Sequence, residues 1–400
     1  MKQEKILAII ISAAMLLSVL AACEESAEGY KQPPEIEPTS ITDAAYLEPD
    51  AGEYEYQQSY DIDFGSSFAA FAPDTVMMTV GGYAVTWAEL FAFMNNNINS
   101  IIQYWDVHDW SDTVYEDVSF ADLVLQYSCE TAITYKAIEY GANLTGVTMS
   151  ADDIEMMQFE YESTVEMVGG EEEVLKLLWE MDGISSRELF DYLRSIGFLA
   201  SAITEELYGP NGERLADEDI AAHILLDGYL MAKHILRMKT DNDNALSEAE
   251  EILSKLNSYS GDDIESYFDE LMWELSDDSD ALWMFPNGYL FQINDMVQEF
   301  YEACAGIETD TYSDIVETSY GYHIIYRKPI DYDEIPTYYY NQLMYGYISE
   351  ADYFSMTLRN IVALDLFDSL LYGWIDSLEV VYTAEYESMD FAKIFDLNEH

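Results

Sequence analysis

Cations are scarce in this chain. Its 16 Lys and Arg stand against 78 Asp and Glu, a formal net charge of −62. A phosphate backbone would repel such a protein, which argues against nucleic-acid binding. An anionic membrane surface is repelled for the same reason, whereas basic clients or divalent cations are attracted. Cysteine is rarer still, with three residues. Cys129 and Cys304 lie 175 positions apart among apolar neighbours, which reads as two small buried side chains and not as a disulfide framework. Long apolar runs are missing too. Apart from a short one near the start, Ile6 to Val19, no stretch of the sequence is apolar enough to span a bilayer.

What is present begins with that run. Lys2 and Lys5 form a short positive region, the apolar segment follows, and Leu20-Ala21-Ala22-Cys23 closes it. The charged and apolar parts are those of a secretory signal peptide. The ending resembles the lipobox of bacterial lipoproteins, and the resemblance implies that Cys23 is lipidated and becomes the new N-terminus. Two acyl chains on one residue anchor stably where one does so only marginally.

With 400 residues, half of them hydrophobic, the chain exceeds one ordinary core, and two or three domains are expected. Residues 24–73 read as a tether. Its first part, 24–60, holds ten acidic residues against one lysine, and four of the nine prolines. High charge with little apolar content favours an extended chain. From residue 74 the pattern becomes globular. Val76–Val80 is β-prone, Gly81-Gly82 marks a turn, and Thr86 with Glu89 has capping-box spacing before an apolar helical run. Helices are expected over 120–140 with Gly141 as the C-cap, over 150–168, 185–207 and 217–230, and again over 350–378. Ser150 with Asp153 and Ser185 with Glu188 mark two of the starts, and Ser247 with Glu250 has capping-box spacing inside a later helix.

The residues that bear on chemistry lie between 231 and 330. Lys233-His234-Ile235-Leu236 is a short β-prone run holding a histidine. Two amphipathic helices follow, with Ala249, Ile252 and Leu256, then Ile264, Phe268 and Leu271, on their apolar faces. Then come Ser276-Asp277-Asp278-Ser279, Met296-Val297-Gln298-Glu299-Phe300, and Tyr320-Gly321-Tyr322-His323-Ile324-Ile325. Other catalytic patterns fail. There is no Walker loop, no His-Glu-x-x-His and no Gly-x-Ser-x-Gly. Asp241-Asn242-Asp243 opens like a calcium loop, yet Leu246 stands where glycine is needed and Ile252 where glutamate is.

These pieces, in this order over about 100 residues, resemble the parvulin family of peptidyl-prolyl isomerases. The segment 74–230, with its Val80-Gly81-Gly82-Tyr83 lead into a helix, resembles the helical chaperone domain of PrsA-like and SurA-like foldases. The implied fold is α+β: a helical chaperone-like domain at 74–230, a parvulin-like domain at 231–330 whose small antiparallel sheet is flanked by helices, and a C-terminal helical extension at 331–400 packing on the N-terminal domain. The resemblance implies that His234 and His323 form a central pair, that Thr318 hydrogen-bonds it, and that Asp278 takes the place held by Cys in some parvulins. It implies a proline-ring pocket of Phe291, Met296 and Phe300, with Tyr320 as an aromatic wall. No cofactor and no metal is implied. The partners implied are unfolded or newly exported polypeptides containing proline, and a membrane through the lipid anchor at the outer face of the cell.

One departure stands out. Where the family has a Gly-Gly-Asp-Leu-Gly loop, this chain has Trp283-Met284-Phe285-Pro286-Asn287-Gly288-Tyr289-Leu290. An inactive holdase is therefore the alternative to an isomerase, and a solute-binding lipoprotein, which requires a two-lobed α/β chain, is a more distant one.

Overall fold

The computed structural model describes residues 60–399, except 106, 116, 240–243, 279–282, 345 and 346. The expected anchor at Cys23, the first part of the tether, Asp241-Asn242-Asp243 and Ser279 lie outside the described residues. Helices dominate, and every strand pairing is antiparallel. That is the α+β class expected from the sequence, not the α/β architecture of the solute-binding alternative. The chain divides into two compact units, one formed by the segments up to Ile203 and from Leu371 onward, the other by Thr204–Leu370.

In the first unit the strands Val76–Val80 and Tyr83–Thr86 form a hairpin. Gly81 and Gly82 take φ of +57° and +88°, the conformation that glycine adopts most readily in a tight turn. Thr86 then caps the helix Trp87–Tyr104. Its hydroxyl accepts from Glu89 N at 3.3 Å, and its own N–H donates to Glu89 Oε2 at 2.6 Å. Leu90, Met94, Ile98 and Ile101 recur at helical spacing and are buried. The next long helix, Phe120–Thr145, does not stop at Gly141 as expected but runs to a left-handed cap at Gly146. Gly141 is small for another reason: a Cβ there would lie 2.1 Å from the Trp374 ring.

The helices Ala151–Val168, Glu171–Asp182 and Arg187–Tyr208 follow, the second of them absent from the sequence expectations. Tyr161, Val174, Leu178 and Leu189 form one of the unit's cores. A charged network is buried as well: Lys136 Nζ donates to Glu89 Oε1 at 2.8 Å, Glu139 Oε1 at 2.9 Å and Tyr192 OH at 2.6 Å. Three acceptors compensate the desolvated ammonium. The unit is completed by the strand Val380–Tyr382, which pairs with Val76–Val80.

The second unit is wider than the expected 231–330. Residues 204–230 and 331–370 belong to it because Ile220, Ile224, Met231, Leu290, Leu358 and Val362 share one core. Arg359 ties the flanks together, donating to Leu215 O, Asp217 and Asp333. Only the part of the C-terminal extension from Leu371 onward therefore joins the first unit. At the centre of the second unit the strands Leu230–Met238 and Gly321–Lys328 pair from Met231 to Met238. Tyr289–Phe291 lies outside the first, while Thr311–Tyr312 and Val316–Glu317 lie outside the second. On one face Ile235, Ile324 and Tyr326 pack on the helices Ala245–Ser258 and Ile264–Leu275. The first of these helices is entered at Asn244, and Ser247, inside it, donates its hydroxyl back to Asn244 O. On the other face Ala232 and Ile325 pack under the helix Gln298–Gly306. No helix among the described residues is long and apolar enough to cross a membrane.

Candidate active site

Register places the two histidines. His234 pairs with Ile325, so His323, two residues earlier on the partner strand, is its diagonal neighbour on the same face. Their Nδ1 atoms lie 2.9 Å apart, and the rings are nearly parallel, 13° between planes. Both are buried, at 8% and 4% exposed. Phe300, from the helix Gln298–Gly306, sets its ring edge-on to both, at 5.3 Å and 5.5 Å between centroids.

Each outer nitrogen has a partner. His234 Nε2 lies 2.9 Å from Asp278 Oδ2, and His323 Nε2 lies 2.8 Å from Thr318 Oγ1. Asp278 is positioned by a turn stitched to the end of the first strand. Asp277 N donates to Leu236 O at 2.8 Å, Leu236 N to Ser276 Oγ at 3.1 Å, and Arg237 to Asp277 Oδ1 at 2.8 Å. Thr318 is fixed by its own N–H donating to Gly321 O at 2.9 Å and by Tyr320 N donating to Thr318 Oγ1 at 3.1 Å.

These partners assign the protons. An ionised Asp278 only accepts, so His234 carries a proton on Nε2, and with a neutral imidazole its Nδ1 is an acceptor. His323 then donates from Nδ1 and accepts at Nε2 from the Thr318 hydroxyl, which in turn accepts from Tyr320 N. All the hydrogen bonds point one way, from Tyr320 N to Asp278. The scheme requires a neutral His323. Burial, followed by the neighbouring His234, lowers its pKa to about 3.

The sequence-derived residues fare differently. His234, His323, Thr318 and Asp278 join in one hydrogen-bonded chain, with Phe300 against the pair. Met296 is half-buried beside Phe291 and Phe300. Phe291 is fully buried, held by its strand pairing with Leu230, and its ring lies edge-on to Phe300 at 5.8 Å. Tyr320 is exposed, at 61%. The crevice that opens beside His234 is small, about 10 Å³, room for one water. Lys233, Met272, Asp278, Phe285, Gly288 and Tyr289 line it with His234, so the expected pocket residues Met296, Phe300 and Tyr320 do not. Tyr289 was not among the candidates. Its hydroxyl donates to Asp278 Oδ2 at 3.2 Å, and its ring stands edge-on to His234 at 5.4 Å. The signal for it lay in the substituted loop. Gly288 takes φ of +106°, and a Cβ there would lie 2.8 Å from Ala232 O. The glycine thus lets the loop close onto the strand and delivers Tyr289 opposite Ala232.

Comparison with known proteins agrees with this geometry. Residues 223–328 match the family model described as rotamase, PPIC-type PPIase domain. The foldase protein PrsA of Halalkalibacterium halodurans is 31% identical over 193 residues, 45% of this chain and 53% of that protein. The chain thus spans about half the length of this curated relative. Among solved structures, PrsA from Bacillus subtilis is similar at 20% identity and a TM-score of 0.23, covering 72% of this chain and 94% of that one. The foldase PrsA from Lactococcus lactis is similar at 11% identity and a TM-score of 0.30, covering 80% and 99%. Residues 223–328 thus match the PPIC-type PPIase family model, in a chain similar to the PrsA foldases.

Proposed function

We propose that this chain is a peptidyl-prolyl cis-trans isomerase and chaperone for newly exported polypeptides, held at the outer face of the cell membrane by lipid on Cys23. The observation that carries the reading is the hydrogen-bonded chain Thr318–His323–His234–Asp278 with Phe300 edge-on to both rings, inside the matched domain.

The chemistry asks little of the protein. Rotation about a peptide bond faces a barrier of about 18–20 kcal/mol because resonance is lost in the twisted state. No bond forms or breaks, so the rate rises if the twisted state is bound more tightly than the planar one. An apolar, weakly hydrated surface favours the twisted imide. The histidine pair supplies fixed polarity beside it, with every imidazole nitrogen already partnered. His234, Asp278, His323 and Thr318 are the residues proposed to shape that environment, with Met296, Phe300 and Tyr320 on the side of the proline ring.

A second reading, a holdase without isomerase activity, is motivated by the substituted loop at 283–290. A proline-peptide isomerisation assay on the full chain separates the two: a rate above the spontaneous one supports the enzyme, and its absence leaves the holdase. The anchor is tested by Cys23→Ser, which should release the protein from membranes. Unchanged membrane retention of a form still lacking its signal segment would refute it.

A further inference from the structure

We propose that Trp273 and Trp283 form a subsite beside the isomerase crevice that takes a basic side chain, arginine above all, close in sequence to the client proline. This rests on the isomerase reading above and names the class of client it favours. Trp283 opens the loop 283–290 that departs from the family, and Trp273 lies on the helix Ile264–Leu275. Their rings stand at 81° with centroids 6.0 Å apart, so they form two walls of a corner. The corner is open to solvent: Trp273 is 50% and Trp283 80% exposed, and the neighbouring Met284 39%. Large apolar groups left together in water do little for the fold and suit a ligand.

Position ties the corner to the site. Met272 and Phe285 both line the crevice beside His234; Trp273 directly follows the first in the chain, and Trp283 stands two residues before the second. Two residues span at most about 7 Å. An extended client advances about 3.3 Å per residue, so a side chain two or three positions from a proline at the crevice comes within reach of the corner. The loop is held there by Phe285, which packs on Tyr289 at 4.9 Å and edge-on to Tyr340 at 5.2 Å. Charge decides what the corner takes. An indole face attracts a cation, and does so best among the aromatic rings. The protein's own cations near the loop are already engaged: Arg237 with Glu248 and Asp277, Lys233 with Glu265 and Asp269, and Lys328 with Glu265. Asp278 and the exposed Glu274 add further negative charge. On a chain of net charge −62, these surroundings attract a basic side chain and repel an acidic one.

The test uses the full chain, as parent, Trp283→Leu and Trp283→Phe, with thermal melting to check that the fold is kept. The substrates are three proline peptides carrying arginine, norleucine or glutamate two residues from the proline on both sides. In the parent, kcat/KM should be about fivefold higher for the arginine peptide than for the norleucine peptide, and lowest for the glutamate peptide. Trp283→Leu keeps an apolar side chain and removes the ring, and the ratio of arginine to norleucine should fall below about twofold. Trp283→Phe, with a weaker ring face, should give a ratio between the two. A parent that prefers norleucine would overturn the proposal, because the corner would then be a plain apolar grip. An arginine preference unchanged in Trp283→Leu would sink it as well, placing the preference in the field of the whole chain. Nuclear magnetic resonance gives a readout independent of catalysis: the indole N–H signals of Trp273 and Trp283 should shift with the arginine peptide and much less with the norleucine peptide. If the parent isomerises none of the peptides, the function proposed above falls, while the indole signals still decide whether the corner takes a basic side chain.

Discussion

Acidification should weaken the second unit through one side chain, His323. Its pKa is about 3 in the folded protein, against an ordinary value near 6.5. Between those two values the unfolded chain takes up a proton at this position and the folded one does not. Folding stability from this group is therefore fully present above about pH 6.5, and it is lost progressively as the pH falls toward 3. The slope is about 1.4 kcal/mol per pH unit, so moving from pH 7 to pH 5 costs about 2 kcal/mol. That is a large share of an ordinary domain stability of about 5–15 kcal/mol. Burial of the imidazole, followed by the neighbouring His234, gives the penalty its structural cause. Urea unfolding at pH 7 and pH 5, followed at the backbone amides of Ile324 and Ile325, measures it. His323→Gln removes the titration while His108, His223, His234 and His400 remain in both proteins. Ordinary carboxylates titrate mostly below pH 5 and contribute alike to parent and variant. The parent should lose about 2 kcal/mol more than the variant over the interval. Equal losses would refute the reasoning.

Phe300→Ala should destabilise the second unit by about 3–5 kcal/mol, since it removes a ring wedged among His234, His323 and Phe291. The isomerisation rate, measured at a temperature where the variant is folded, should fall with it, and an unchanged rate would detach Phe300 from the site. Gly141→Ala should cost the first unit about 1–3 kcal/mol because the added methyl meets the Trp374 ring. Its Tm should drop, and pairing it with Trp374→Leu should recover part of the loss.

Local signals were the most legible in the sequence. The Thr86–Glu89 and Ser150–Asp153 boxes are three residues apart and need no tertiary context to form. Ser247 and Glu250 have the same spacing inside a helix that follows Asn244, and there the Ser247 hydroxyl donates back to Asn244 O and does not cap. Gly141 was misread because a glycine near the end of a helical pattern has two meanings. The ring that gives this one its meaning lies far along the chain, at Trp374. The helix Glu171–Asp182 was missed although Gly170 and Gly183 bracket it and Val174 and Leu178 supply its buried pair. The strand Val380–Tyr382 has only three residues, too few for a pattern. In the site, the histidines could be paired because residue types and their order suffice for a resemblance. Tyr289 could not be found that way. It reaches Asp278 through the pairing of Tyr289 with Ala232, which is a matter of register, and the loop that sets this register departs from the family. The unit boundary also escaped, because the core joining Ile220 to Leu358 and Val362 is built from short segments on either side of the expected domain.

The pairing of Val380–Tyr382 with Val76–Val80 has a consequence for biosynthesis. A polypeptide made and exported from its N-terminus presents Val76–Val80 long before its partner strand has emerged. The second unit, continuous from Thr204 to Leu370, has all of its residues available earlier than the first. The later-numbered unit is thus free to fold while the earlier-numbered one waits for the segment after Leu371. During that interval the buried strand residues Met77, Met78 and Val80 lack part of their cover. A protein proposed to assist the folding of exported chains would itself cross the membrane as a client in need of such help.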